Sequence, residues 1–348
     1  MFTEIFVVLG VIFCLSLLGY LIPQIIVRIL KPLDLKTRYG GGYAFITGGN
    51  SGIGEAFAKK VAKMGFNVVI LGQNEERLTK TAAALKEIDP SIDVRTIKAD
   101  LSGDAEKVTQ SIVQQLEGLD LSILFFNAGL GVFEDTTQPT EKSLIQFRSN
   151  IVTHQYIFQA LYPKLASRKL NSNSNNSRRG AVLFTASGLA IITTPGSVVY
   201  SATKAYLGHF GECLATEAES FGIDVVSLYP GMVNTLFSKR GGDELPPFVE
   251  KINQNPNSVA SLALSGIGRV TRVDSGFQAV TMRLITKVID ANIFIKILSK
   301  VGSKKKNEIR YATNARNGPR ARTDARAAQD RLGHAMGGVL ELVECVDS

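Results

Sequence analysis

Six short apolar runs recur along the chain, separated by segments of helical spacing: YAFIT (43–47), NVVIL (67–71), VRTI (94–97), LSILFF (121–126), AVLFTA (181–186) and IDVVSLY (223–229). Uninterrupted apolar runs of this length fit strands buried on both faces. The intervening EAFAKKVAKMG (55–65) closes on Gly65 and EERLTKTAAALKEI (75–88) stops before Asp89-Pro90, so both carry helix spacing with helix stop signals. Strand and helix in strict alternation predict an α/β fold, a doubly wound parallel sheet with helices on both faces.

Ahead of that pattern lies an uncharged stretch of 22 residues, Ile5 to Ile26. As a helix it is about 33 Å long, enough to cross a hydrocarbon core of about 30 Å. It is read as one transmembrane helix. A cleaved signal peptide is the rival, but its apolar core is shorter, with basic residues before it. Here Arg28, Lys31, Lys36 and Arg38 follow the run and Glu4 precedes it, which predicts that the bulk of the chain lies on the cytosolic face by the positive-inside rule. Gly19, Pro23 and Gln24 weaken the last turns, so an interfacial helix or monotopic hairpin is a third reading. The expected organisation is an anchor over 1–30, a basic linker over 31–40, a dinucleotide-binding domain over 41–270, a basic amphipathic segment over 271–303, and a basic, disordered or weakly helical tail over 304–348. The polar run 171–177 is expected to be a loop, whose Asn175-Asn176-Ser177 sequon stays unused on the cytosolic side.

Composition narrows the chemistry. Lys plus Arg number 39 against 31 for Asp plus Glu, a net +8 that suits a phosphate-bearing ligand or an anionic membrane face. Cys14, Cys213 and Cys345, like His154, His209 and His334, are scattered, so neither a disulfide framework nor a metal site is expected. The arginines between Arg310 and Arg331 lack interleaved stacking aromatics beyond Tyr311, and nucleic-acid binding is not expected.

The first run leads through Thr47-Gly48-Gly49-Asn50-Ser51-Gly52-Ile53-Gly54 directly into a helix. A Gly-rich turn there lets backbone amides approach a pyrophosphate at the helix N-terminus, a Rossmann-type site. Gly48 permits the turn, Gly52 a close approach and Gly54 tight helix packing. No Gly-Lys-Ser/Thr follows, which excludes a Walker loop. The second run ends at Gln73, with no carboxylate to hold the adenosine ribose hydroxyls. That leans towards NADP(H) and leaves NAD(H) open, since a 2′-phosphate would need Arg77 or the Lys59 and Lys60 pair. Asp100-Leu101 and Asn127-Ala128-Gly129 close the next two runs, where such sheets place their ligands.

Tyr200 and Lys204 stand four apart at the start of a helical run and so share a face. A neighbouring ammonium would lower the phenol pKa and make Tyr200 a usable general acid. Ser187, thirteen residues earlier, could hold a carbonyl oxygen against it. Asn150 could pause a helix and relay protons to Lys204 through water.

In this order the motifs resemble the short-chain dehydrogenase/reductase family, whose marks are the Thr-Gly-x-x-x-Gly-x-Gly loop, the Asn-Ala-Gly turn and an Asn, Ser, Tyr, Lys tetrad. Pro230-Gly231-Met232-Val233-Asn234-Thr235 matches the family's Pro-Gly-x-Val-x-Thr segment, placing Pro230, Gly231, Val233 and Thr235 by the nicotinamide. The resemblance spans residues 41–240. It implies hydride transfer to a carbonyl, with Tyr200 donating the proton, Ser187 orienting the oxygen, Lys204 tuning Tyr200 and binding the nicotinamide ribose, and Asn150 completing the relay. Gln73 in place of the usual Arg, Phe126 in place of a second Asn, and the lack of an identifiable seventh strand depart from the pattern. The anchor, Lys36 to Gly41, Gly118-Leu119-Asp120 and the 200–217 helix look most like membrane 3-oxoacyl-CoA reductases and 17-beta-hydroxysteroid dehydrogenases. That implies a lipid-like substrate in the endoplasmic reticulum membrane and admits a homodimer. A 3-ketodihydrosphingosine reductase is the alternative, and a non-catalytic dinucleotide-binding membrane scaffold is a third reading.

Overall fold

The computed structural model describes residues 2–134, 136, 140–169, 178–193, 195–235 and 253–300. The 171–177 loop with its sequon and the 304–348 tail lie outside the described residues. Seven strands form one parallel sheet in the order β3-β2-β1-β4-β5-β6-β7. They are β1 Tyr43–Thr47, β2 Asn67–Gly72, β3 Val94–Lys98, β4 Leu121–Phe126, β5 Gly180–Thr185, β6 Ile223–Pro230 and β7 Arg272–Ser275. The first six fall on the six apolar runs to within a residue. Helices α1 Phe2–Ile29, α2 Leu35–Tyr39, α3 Gly52–Lys63, α4 Glu75–Ile88, α5 Ala105–Gln115, α6 Glu141–Phe147, α7 Thr153–Ala166, α8 Val198–Ala218, α9 Pro256–Gly266 and α10 Phe277–Val288 surround it. A further helix occupies 291–300.

The alternation of side chains along each strand divides the core in two. Ala44, Ile46, Ile123 and Phe125 pack with Phe57, Val61, Leu78, Val259 and Ala263 of α3, α4 and α9. Phe45, Leu124 and Phe126 pack on the other face with Ile112, Phe158, Leu161 and Leu207 of α5, α7 and α8. There Phe126 stacks on Phe184 at 5.0 Å, and each Phe so buried contributes roughly 1.5–3 kcal/mol. Side-chain caps fix the helix starts: Asn74 accepts from the Arg77 amide before α4, and Asp104 from the Lys107 amide before α5.

Four features differ from the sequence reading. The seventh strand exists, at Arg272–Ser275, beyond the boundary drawn at 270. Its charges hid it: Asp274 is fully buried and pairs with Arg283, while Arg272 pairs with Glu212, so no apolar run marks the strand. The stretch 31–40 is no simple linker. Leu35 and Tyr39 of α2 are fully buried, and Tyr39 Oη and Arg38 Nε donate to the Asp224 carboxylate at 2.6 and 2.7 Å. Edge strand β3, expected to be buried on both faces, leaves Arg95, Thr96 and Lys98 exposed. The amphipathic segment drawn over 271–303 divides into β7, α10 and the 291–300 helix.

Helix α1 is long and apolar enough to cross a membrane, with a mean hydropathy of 2.8 in its most apolar window. Residues 2–19 are exposed apart from a half-buried Leu17, while Tyr20, Gln24 and Val27 are buried against the domain.

Candidate active site

The strand order reverses between β1 and β4, and the crevice outside their carboxyl ends is where an open parallel sheet binds its ligand. The turn after β1 has the shape a diphosphate needs. Gly48 has φ +67°, and a Cβ there would lie 3.0 Å from Ala128 Cα. At Gly54, the third residue of α3, a Cβ would fall 2.2 Å from the Gly48 carbonyl oxygen and 2.6 Å from Asn127 Nδ2. The first turn of α3 therefore packs directly on the loop, with its unpaired amides facing the crevice. Thr235, from the segment after β6, closes over Gly52 from the other side.

Thr47 is the hub of this loop. Its Oγ1 accepts from the amides of Asn127 and Ala128 at 2.9 and 3.0 Å and lies 3.2 Å from His154 Nε2. The Asn127 side chain donates to the Thr47 carbonyl and accepts from Thr185 Oγ1, tying β1 to β5. Asn127 thus acts here as a strut, and its turn presents Ala128 and Gly129 to the crevice.

At the adenosine end, Gln73 Nε2 donates to Asp100 Oδ2 at 2.9 Å, and Asp100 Oδ1 also accepts from Ser102. A groove of about 490 Å³ begins at Asn50, Ser51 and Gly52 and is walled by α3, α4, the Asn234-Thr235 segment and the start of α9. Lys59, Arg77 and Lys80 line it. Lys59 is paired with Glu55 at 2.6 Å, whereas Arg77 and Lys80 have no ion-pair partner among the described residues. Of the cations suggested by the sequence, Arg77 and Lys59 reach this groove; Lys60 is not among its lining.

At the nicotinamide end, β5 delivers Ser187 and α8 delivers Tyr200 and Lys204, all three buried. Lys204 Nζ donates to the Thr185 carbonyl at 2.8 Å and would stand 3.0 Å from a Cβ at Gly129, so a side chain there would displace the ammonium by a few tenths of an ångström. Asn150 sits in a single π-turn, Arg148–Val152, between α6 and α7. This is the helix pause its polar side chain suggested. Its Oδ1 accepts from the Leu130 amide at 2.8 Å, and its Nδ2 donates to the Leu130 carbonyl and to Thr203 Oγ1. Asn150 Oδ1 and Lys204 Nζ both flank the Gly129 position, and a side-chain hydrogen bond joins Tyr200 to Ser187. On the far side, the Met232 amide donates to Gln278 Oε1 of α10 at 3.1 Å, holding the Pro230-Gly231 segment in place.

The electrostatics differ in one respect from expectation. Burial pushes the Tyr200 phenol up to about 12, and a side-chain hydrogen bond with Ser187 acts in the opposite direction. Burial also brings the Lys204 ammonium down to about 8. The expected lowering of Tyr200 by Lys204 is therefore not what this arrangement gives: desolvation dominates, and the one opposing influence comes from Ser187. Both groups are protonated at neutral pH, which is the state a proton donor and its cationic neighbour require.

Sequence reasoning missed several residues at this site. His154, four residues after Asn150, is brought down to about 4 mainly by burial, so it is neutral and serves as a fixed partner for Thr47 and for the Asn150 carbonyl. Thr203 joins the Tyr200 carbonyl to Asn150. Exposed Phe133 lies 5.6 Å from the Tyr200 ring, in position to wall a substrate. The i, i+4 spacing of Asn150 and His154 was a usable signal; nothing local marked Phe133.

A family model described as short chain dehydrogenase matches residues 42–245. Among curated proteins, the very-long-chain 3-oxoacyl-CoA reductase of Caenorhabditis briggsae is 31% identical over 212 residues, 61% of this chain and 66% of that protein. The human very-long-chain 3-oxoacyl-CoA reductase is 27% identical, covering 74% of this chain and 78% of its own. The 7beta-hydroxysteroid dehydrogenase of Mediterraneibacter gnavus is 30% identical over 70% of this chain and 89% of its own. A solved 7beta-hydroxysteroid dehydrogenase superimposes with a TM-score of 0.65 at 25% identity, covering 77% of this chain and all of that one. A short-chain dehydrogenase from Sphingobium yanoikuyae in complex with NADPH shares the fold, with a TM-score of 0.57 at 23% identity over 67% of this chain and 86% of that one.

Proposed function

The chain belongs to the short chain dehydrogenase family, and from that membership we propose that it is a membrane-anchored, NADPH-dependent ketone reductase acting on a lipid-like carbonyl, foremost a 3-oxoacyl-CoA. The observation that carries this reading is the buried convergence of Ser187, Tyr200 and Lys204 at the end of β5, opposite the glycine turn. A bound nicotinamide supplies the hydride that adds to the carbonyl carbon. The protein positions and protonates. Ser187 donates to the carbonyl oxygen, Tyr200 transfers its phenolic proton to that oxygen as negative charge develops there, and the Lys204 ammonium stabilises the phenolate left behind. The phenolate is reprotonated from Lys204, which regains its proton from solvent through a water near Asn150; Lys204 Nζ and Asn150 Oδ1 both flank the Gly129 position, which supports this path.

The glycine turn fits a dinucleotide, because side chains at Gly48 and Gly54 would strike Ala128 and the Gly48 carbonyl and force the first turn of α3 off the loop that receives a diphosphate. Preference for NADPH is supported by the lack of a carboxylate at Gln73 and by Arg77 and Lys80, which line the adjoining groove without an ion-pair partner among the described residues. A 2′-phosphate there gains charge-assisted contacts that NADH does not. Exposed residues along α1 support a single membrane span, and the basic residues after it support a cytosolic catalytic domain in the endoplasmic reticulum membrane. A ketosteroid is the second substrate class, favoured by the likeness to 7beta-hydroxysteroid dehydrogenase. 3-Ketodihydrosphingosine is a further candidate, and the family resemblance admits a homodimer. Dinucleotide oxidation by the detergent-solubilised protein with each of the three ketones tests the reading, Tyr200→Phe serving as control. Turnover independent of Tyr200, or none with any of them, would contradict it.

A further inference from the structure

The described part of α1 is clamped to the catalytic domain as well as joined to it by chain. Gln24 serves the open edge of β7 as a strand would: its Nε2 donates to the Arg272 carbonyl at 3.2 Å, and its Oε1 accepts from the Asp274 amide at 3.2 Å. Tyr20 Oη donates to Asp274 Oδ2 at 3.0 Å and Arg28 Nη2 to the Asp274 carbonyl at 2.9 Å, with Val27 buried beside them. Residues 2–19 remain as a span of about 27 Å, close to the hydrocarbon thickness. Tyr20 then falls at the level of the lipid headgroups, where amphipathic aromatic rings favour sitting.

That level fixes the height of the C-terminal helices. The Lys287 ammonium, near the end of α10, lies 5.8 Å from the centre of the Tyr20 ring. The helix over 291–300 starts four residues later, so it lies within reach of the same plane. At 100° per residue, Ala291, Ile293, Phe294, Ile295, Ile297 and Leu298 fill one arc of about 200°. Asn292, Lys296, Ser299 and Lys300 fill the rest. Most of the apolar arc is exposed: Ile293 is 56% and Ile295 and Ile297 each 45% exposed, with Phe294 and Leu298 half-buried, and Val288 just before them is 65% exposed. A wide apolar face bordered by lysines is the pattern of a helix lying in a membrane interface. The other end of α10 reaches the active site, where Gln278 holds Met232 and Ala279 packs near Gly188, next to Ser187.

We propose that the 291–300 helix lies flat in the bilayer interface beside α1, so that two membrane contacts hold the domain in one orientation, with α10 leading from the lipid surface to the substrate side of the site. This inference rests on α1 being a membrane span. Charge complementarity points to anionic lipid, because Lys287, Lys296 and Lys300 sit at the proposed headgroup level.

The chain contains no tryptophan, so one introduced residue reports alone. The full-length protein carrying Ile295→Trp is reconstituted into phosphatidylcholine–phosphatidylserine vesicles, with and without brominated acyl chains. Val11→Trp reports on α1, and Gln110→Trp, exposed on α5 at the opposite face of the sheet, is the water control. The expected result is blue-shifted emission and strong quenching by brominated lipid at both 11 and 295, with none at 110. Quenching at 11 without quenching at 295 overturns the inference and leaves the anchor standing. Absence of quenching at both overturns the two together. A blue shift at 295 that depends on protein concentration and ignores bromine assigns the face to a second copy of the chain, and also overturns it.

Discussion

Lys204 donates a hydrogen bond to the Thr185 carbonyl at 2.8 Å, fastening α8 to the end of β5 two residues before Ser187. The helix that carries Tyr200 and the strand end that carries Ser187 are thereby set in one register. The same contact keeps the ammonium buried, and the energetic consequence can be measured.

Burial holds Lys204 near 8 in the folded chain, against about 10.5 when unfolded. Between these values the unfolded chain keeps a proton that the folded chain has shed, so folding stability rises with pH across that window. Below about 8 both states are protonated and the full cost of the buried charge is present. Lys204→Met should therefore raise Tm at pH 7 by a few degrees, an advantage that shrinks by pH 10, while turnover is lost. Thermal unfolding at the two pH values checks this. In the unaltered enzyme, kcat/KM should fall as pH rises through about 8, as the ammonium is lost.

Gly54→Ala should abolish tight dinucleotide binding and lower stability by about 1–3 kcal/mol, since its Cβ would overlap the Gly48 carbonyl at 2.2 Å. Gly10→Ala, with open space around it, is the matched control and should change neither quantity. Dinucleotide titration and chemical unfolding of both variants make the comparison.

Cofactor choice should respond at two places. Arg77→Ala with Lys80→Ala should weaken NADPH binding about tenfold or more and leave NADH within about twofold, because only the 2′-phosphate meets that charge. Gln73→Asp should move preference towards NADH by supplying a carboxylate for the ribose hydroxyls. Dissociation constants of both dinucleotides by fluorescence titration report these shifts.

Asp224 accepts from Tyr39 at 2.6 Å and from Arg38 at 2.7 Å, and Arg178 lies 3.3 Å away. Removing it strands the Arg38 guanidinium and a buried phenol, while Arg178 keeps its two-pronged pair with Glu219 at 2.9 and 2.7 Å. Asp224→Ala should cost about 3–5 kcal/mol, read from the denaturant midpoint, and Tyr39→Phe distinctly less.

Much of this architecture is legible in the sequence because its central strands β1, β2, β4, β5 and β6 are buried on both faces and therefore read as apolar runs. The glycine turn and the gathering of Asn150, Ser187, Tyr200 and Lys204 were legible for a related reason: strand ends in a doubly wound sheet share one edge. What escaped was polar structure satisfied at long range. β7 carries Arg272 and Asp274, whose partners Glu212 and Arg283 lie in other helices. Basic residues in α2 concealed a docking element, because the carboxylate they serve is Asp224, 186 positions from Arg38. Thr47, His154 and Phe133 acquire their roles only when β1, α7 and the segment after β4 meet.

The central claim is that Tyr200 protonates a lipid-like ketone as hydride arrives from NADPH. The most direct measurement is single-turnover oxidation of NADPH by the solubilised protein with a long-chain 3-oxoacyl-CoA, comparing the unaltered chain with Tyr200→Phe. The expected result is a rate loss of at least about 10²-fold in the variant, with NADPH affinity unchanged. Equal rates in the two proteins would contradict the account, as would no oxidation by an unaltered protein that binds NADPH tightly.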